Sequence, residues 1–109
     1  MTVFRVETYV VKPEKQEEHT TIMKKWVAYT KKNKENCKEM KSWKLLSQMI
    51  GSNVGGYIEI SEFDSLAELE KFMSRVFHGH DEFIETIVSK FTACVVPGTY
   101  SIYIWNPVM

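Results

Sequence analysis

Apolar and polar residues alternate from Val3 to Val11, with Phe4, Val6, Thr8 and Val10 on one side and Arg5, Glu7 and Tyr9 on the other. Strict alternation is the mark of a strand. Pro13 then opens a helix where its missing N–H costs nothing. From about Glu14 to Asn33 the spacing changes to that of a helix, and His19, Ile22, Met23, Trp26, Tyr29 and Thr30 form a buried stripe. The lysine-rich stretch "KKNKENCKEMK" reads as a solvated linker. Residues 42–51 and 56–63 read as a second and third strand, joined in a hairpin by the turn residues of "SNVGG". Ser65 with Glu68 three residues on is a capping box, which marks the start of a second helix. Leu69, Phe72, Met73 and Val76 form its apolar stripe. The stripe continues past Gly79 through His80, Phe83, Ile84, Ile87 and Phe91 to a break at Pro97-Gly98. "TYSIYIW", residues 99–105, is the last strand.

The order β-α-β-β-α-β predicts an α+β fold of the ferredoxin-like kind, an antiparallel sheet with its helices on one face, filling the chain as a single domain. Two sets of strand residues follow. The aliphatic set, Phe4, Val6, Val10, Ile58, Ile60, Ile102 and Ile104, is expected beneath the helices. The other set, Arg5, Glu7, Tyr9, Tyr57, Glu59, Ser61, Tyr103 and Trp105, is too aromatic for a wet surface and too charged for a dry core. It is expected to meet a second copy of the chain, sheet to sheet, as a homodimer.

Composition narrows the function classes. Fourteen Lys and Arg balance fourteen Asp and Glu over 109 residues, which gives no strong pull toward nucleic acid or an anionic membrane. Six lysines in 31–44 are interleaved with Glu35 and Glu39, as on a solvated segment. No apolar run approaches the ~20 residues that span a bilayer, and the N-terminal stretch is a strand rather than a signal peptide. The expected compartment is the cytoplasm. Cys37 and Cys94 lie far apart and are expected to stay reduced, with the lysines around Cys37 favouring its thiolate. No phosphate loop, dinucleotide fingerprint, nucleophile elbow or zinc quartet occurs, and no cofactor is called for.

The candidate chemistry therefore rests on few groups. His78 and His80 flank Gly79, with Asp81 after them. Residues two apart on one helix do not face each other, so a single zinc could not readily take both. One account makes Gly79 the end of one helical piece and Asp81 the N-cap of the next. The other makes His80, and then His78, an acid–base or ligand residue at a pocket, because a histidine on an apolar stripe must find a partner. His19 is either a satisfied buried histidine or converges with His80 and Tyr57 at a cavity mouth. Trp26 and Phe72 are core residues or ligand contacts. Glu7 and Glu59 form a candidate acid–base pair inside the barrel, or a salt bridge to Arg5. An apolar pocket with a few polar groups suits a small apolar or aromatic ligand, including cofactor-free oxygenation of an electron-rich aromatic, where the protein supplies a base and desolvation.

The element order, the segment "YIEISEFDSLAELEKFM" and the run "RVFHGHDEF" resemble the dimeric α+β barrel superfamily, which includes antibiotic-biosynthesis-monooxygenase-like, NIPSNAP-like and stress-responsive barrel proteins. The resemblance implies a homodimer and a small-molecule site, with a monooxygenase activity of the antibiotic-biosynthesis type as the leading reading. A non-catalytic ligand-sensing or assembly module is the alternative. A third reading, haem or metal binding, comes from the likeness of "RVFHGHDEF" to the segment where haem-degrading members place a ligating histidine, with His78 or His80 at the matching position. Those members also use an asparagine from the first strand and a tryptophan from the second helix, and this chain has neither.

Overall fold

The computed structural model describes residues 1–51 and 55–109. The strands are β1 (Val3–Val10), β2 (Met40–Ser47), β3 (Gly56–Phe63) and β4 (Ser101–Trp105), and the helices are α1 (Gln16–Lys32), α2 (Leu66–Val76) and α3 (Glu82–Cys94). The sheet has the order β2-β3-β1-β4, and every neighbouring pair is antiparallel. This is the ferredoxin-like α+β arrangement. Most of the expected turn between β2 and β3 falls on residues 52–54, outside the described residues, although Gly55 does take a positive φ of 94°. No helix among the described residues is long and apolar enough to cross a membrane.

Each helix starts where its local chemistry dictates. Pro13 begins a single 3-10 turn, Pro13–Lys15, that leads into α1. The Ser65 hydroxyl accepts from Glu68 N at 3.2 Å and caps α2. Asp81 accepts from Phe83 N at 2.8 Å and from Ile84 N, and so opens α3. The helical region is thus two helices. The backbone reverses after Phe77, with His78 N donating back to Met73 O at 3.1 Å. It is His80, at φ 60°, rather than Gly79, that takes the left-handed conformation. Gly79 is needed for space, because a Cβ there would stand 2.3 Å from the Arg75 carbonyl oxygen.

In β1 and β3 the faces of the sheet are the reverse of the sequence expectation. Val3, Arg5, Glu7, Tyr9 and Val11 point toward the helices, opposite Phe63, Ser61, Glu59 and Tyr57 of β3. Phe4, Val6, Ile58 and Ile60 lie on the side away from the helices. β4 is the exception and lies as expected: Ile102 and Ile104 pair with Glu7 and Arg5 on the helix side, while Tyr103 and Trp105 pair with Val6 and Phe4 on the far side. Alternation sorts residues into two sets but carries no sign, and the more aliphatic set turned out to be the outer one.

On the helix side, the sheet is apolar at both ends and charged in its middle. One end, Val3 and Phe63, packs with Trp26, Tyr29, Leu69, Phe72, Val76 and Ile84. The other end, Tyr9 and Val11, packs with Ile22, Met23, Ile87, Cys94 and Val95. The stretch after α1 is not simply a solvated linker. Its Cys37 is buried in the first cluster, where burial raises the thiol pKa rather than favouring the thiolate. Its Glu39 is buried too, and Arg75 of α2 grips both carboxylate oxygens at 2.7 and 2.6 Å. Those bonds hold the Glu39 carboxyl below its ordinary range.

Candidate functional site

Between the two apolar clusters lies a cavity of about 510 Å³. Its floor is the charged middle of the sheet, Arg5, Glu7, Glu59 and Ser61. Its walls are aromatic and aliphatic, with Trp26 and Met23 from α1, Trp43 from β2, Phe72 from α2, and Ile87 and Phe91 from α3. Exposed Val88, Thr92, Pro97 and Gly98 mark its mouth. A few convergent polar groups on an apolar lining are what a small-molecule site requires.

The register of β1 with β3 sets Glu7 directly opposite Glu59, and both side chains are buried. Like charges facing each other across strands oppose folding, so the pair must be compensated. Arg5 and the Tyr100 hydroxyl both donate to Glu7. Glu59 receives Trp43 Nε1–H at 3.1 Å. Arg5 thus answers the charge of Glu7 and leaves Glu59 to share a poorly solvated space with it. Burial first, and the Glu7 charge second, push the Glu59 carboxyl up to about 7. Burial and the same two carboxylates raise the phenols of Tyr9 and Tyr100. The floor therefore presents one carboxyl that gains and loses a proton near neutrality.

The histidines fall elsewhere. His78 and His80 are exposed on the turn between α2 and α3, and neither lines the cavity. The His80 side chain is 93% exposed, and its nearest acidic oxygen is Glu85 Oε1 at 3.8 Å. The continued stripe that put His80 on an apolar face fails because the helix stops before it. No group of three or more His, Cys, Asp or Glu among the described residues is arranged to hold a metal ion. His19 is 1% exposed and stacks obliquely on Tyr57, with ring centres 4.4 Å apart, so those two converge without His80. They sit beside the cavity, at the Tyr9 end of the same sheet face, and do not line it: His19 Nε2 is 2.8 Å from Tyr9 Oη, and Tyr57 donates to Gln16 at 2.7 Å. Trp26 and Phe72 line the cavity. Sequence reasoning missed Trp43, Tyr100 and Phe91 as lining groups, because what brings them to one space is strand register and a loop. It did pair Glu7 with Glu59, from their shared strand face.

No family model matches the chain, and no curated protein matches it in sequence. Solved structures do. A NIPSNAP family protein from Agrobacterium tumefaciens superposes with a TM-score of 0.75 at 10% identity, covering 99% of this chain and 94% of that one. A protein described as an antibiotic biosynthesis monooxygenase gives 0.69 at 14% identity, over 98% of this chain and 99% of that one. A single-residue variant of SnoaB, a cofactor-independent oxygenase from Streptomyces nogalater, gives 0.70 at 11%, over 99% and 94%. The chain has the ferredoxin-like α+β fold of these antibiotic-biosynthesis-monooxygenase-like and NIPSNAP proteins. Likeness at this level speaks for the fold alone.

Proposed function

We propose that the cavity binds a small apolar or aromatic molecule and that Glu59 is the general base acting on it. The observation that carries this reading is the buried carboxylate pair on the floor of an otherwise apolar space. A group with a pKa near the working pH offers the best compromise between being ionised and being basic, and Glu59 is raised to about 7. It would take a proton from a hydroxyl or an activated C–H of the ligand, and Trp43 would hold it in place. The electron-rich anion so formed reacts with dioxygen by its own reactivity, which is cofactor-independent oxygenation with the protein supplying a base and a dry cavity. The similarity to a cofactor-independent oxygenase supports this choice of reaction class. His78 and His80 take no part in this chemistry, because neither reaches the cavity.

Oxygen uptake with a panel of quinols and anthrones tests the reading. Turnover should fall on the order of 10²-fold or more in Glu59→Gln, the usual contribution of a positioned base. Ligands that bind without turnover in the wild-type protein would instead make this a ligand-sensing module.

We also propose a homodimer formed through the outer face of the sheet. Leu46, Tyr103 and Trp105 are exposed there, beside half-buried Phe4, Ile58 and Ile60. An exposed patch of aromatic and aliphatic side chains on one side of a sheet calls for a cover. A two-fold pairing of identical faces supplies one without any other partner.

A further inference from the structure

Among the described residues, Arg5 is the one cationic side chain that lines the cavity, and the other titratable groups in the lining, Glu7, Glu59 and Tyr100, are acids. What α1, α2 and α3 contribute to the walls carries no titratable side chain. The Arg5 side chain is 15% exposed, and one terminal nitrogen donates to Glu7. A guanidinium carries a fork of N–H groups, and the rest of this fork meets no acceptor among the described residues. Those donors are not sealed in, because the fully buried side-chain nitrogen that lacks a partner is on His19 and not on Arg5. They face the cavity. Strand register sets what stands beside them. Ser61 lies directly opposite Arg5 and is also in the lining, so its hydroxyl is a second donor. Glu59 is the diagonal neighbour of Arg5, and such pairs stand roughly 7 Å apart at Cβ. Side chains of that length can close on a single ligand oxygen between them.

We propose that Arg5, with the Ser61 hydroxyl beside it, is the anion-holding side of the cavity, and that the ligand is a hydroxyaromatic or an enolisable ketone bound there as its oxyanion. This rests on the reading of Glu59 as the base. When Glu59 takes the proton, an O–H or C–H bond of the ligand breaks, the proton joins a Glu59 oxygen, and the electron pair stays on the ligand with its charge on oxygen. Total charge does not change; it moves from the carboxylate to the ligand. Beforehand the floor sets Arg5 against two carboxylates. Afterwards Glu59 is neutral, Tyr100 and one nitrogen of Arg5 hold Glu7, and the spare fork of Arg5 meets the new anion. An oxyanion in an apolar space without a cation would carry the cost of any unpaired buried charge. Charge-assisted hydrogen bonds are roughly twice as strong as neutral ones, so Arg5 favours the ionised ligand over the neutral one. A ligand without an ionisable oxygen gains none of this. The cavity thus selects for acidity as well as for an apolar ring.

Two probes of one shape test this: para-nitrophenol, whose phenolate is coloured, and para-nitroanisole, which has no proton to lose. In Glu59→Gln, where no second titrating carboxyl blurs the reading, bound para-nitrophenol should ionise about one pH unit below the free probe, the usual effect of a cation at contact distance. Adding Arg5→Met should erase that shift and weaken phenolate binding on the order of tenfold, a one-unit shift being a tenfold change. Binding of para-nitroanisole should stay as it was. Glu7→Gln alone, which frees Arg5 from its carboxylate, should tighten phenolate binding. That gain is the deciding result if the Arg5 variant does not fold, since damage to the fold does not strengthen a site. A bound probe that ionises alike with and without Arg5, or a Glu7→Gln variant that holds phenolate no better, overturns the proposal. The base assignment fails separately, if Arg5 behaves as described while Glu59→Gln leaves oxygen uptake untouched. Wild-type protein that binds neither probe would remove the small-molecule cavity itself.

Discussion

Glu59 stores a cost in the folded protein. An unfolded glutamate titrates near 4.5 and the folded one near 7, so between those values the native state holds the proton that the unfolded chain has released. Stability must then fall as pH rises from about 4.5 through 7, because the native state binds more protons. Holding the proton against each further pH unit of that interval is worth about 1.4 kcal/mol, and the whole interval comes to on the order of 3 kcal/mol. Glu59→Gln keeps a neutral acceptor for Trp43 and removes the charge. Denaturant unfolding should show the variant more stable than wild type above pH 7, with the advantage gone below about pH 4.5. A constant difference across that range would contradict the buried-pair account. A protein that retains such a cost in its core has a use for it, which is why perturbed carboxyls mark sites.

At the scale of elements, the junction between α2 and α3 shows what a short stretch of sequence can and cannot say. Asp81 as N-cap is visible in the sequence because capping depends on residue type and spacing. The need for Gly79 is not, because it comes from the Arg75 carbonyl passing where a Cβ would sit. Asp81→Ala should cost about 1 kcal/mol, the ordinary value of a lost cap. Gly79→Ala should cost more, since backbone rather than a flexible side chain blocks the methyl. The same carbonyl belongs to the residue that grips buried Glu39, so a displacement there would loosen the connection ahead of β2 as well. Thermal unfolding of the two variants side by side checks the order; equal losses would remove the steric explanation. The β2 boundary, read two residues too late, has a related cause. Met40 joins the strand by pairing with Phe63 of β3, with Lys41 left unpaired at a bulge, and nothing in their own alternation requires it.

For the whole molecule, the reversed sheet turns the two surfaces into separate devices. The charged middle of the inner face became the floor of a cavity, with the apolar ends packed on either side of it. The aliphatic outer face is left for the proposed second copy. Trp105 and Leu46 are 58% and 49% exposed, so replacing either with glutamate costs folding little, within about 0.5–1 kcal/mol. Sedimentation at micromolar concentration should show wild type at twice the 12.8 kDa chain mass and Trp105→Glu or Leu46→Glu shifted toward the single chain. A wild-type protein that sediments as one chain would remove the homodimer.

The sequence by itself determined the order of elements, the N-caps of α2 and α3 and the sorting of residues into faces within each strand, because periodicity and capping are local properties of a few neighbouring residues. Glu7 and Glu59 could be matched for the same reason, as members of one strand set. Which set looks toward the helices was decided only in three dimensions, where strand register, β4's pairing and the packing of all three helices act together. That decision moved the candidate chemistry from an exposed histidine turn to a carboxylate on the cavity floor. His80 looked buried only while α2 was assumed to continue through it. Glu59 looked like a partner for Arg5 until the register set it opposite Glu7 and the walls closed around both.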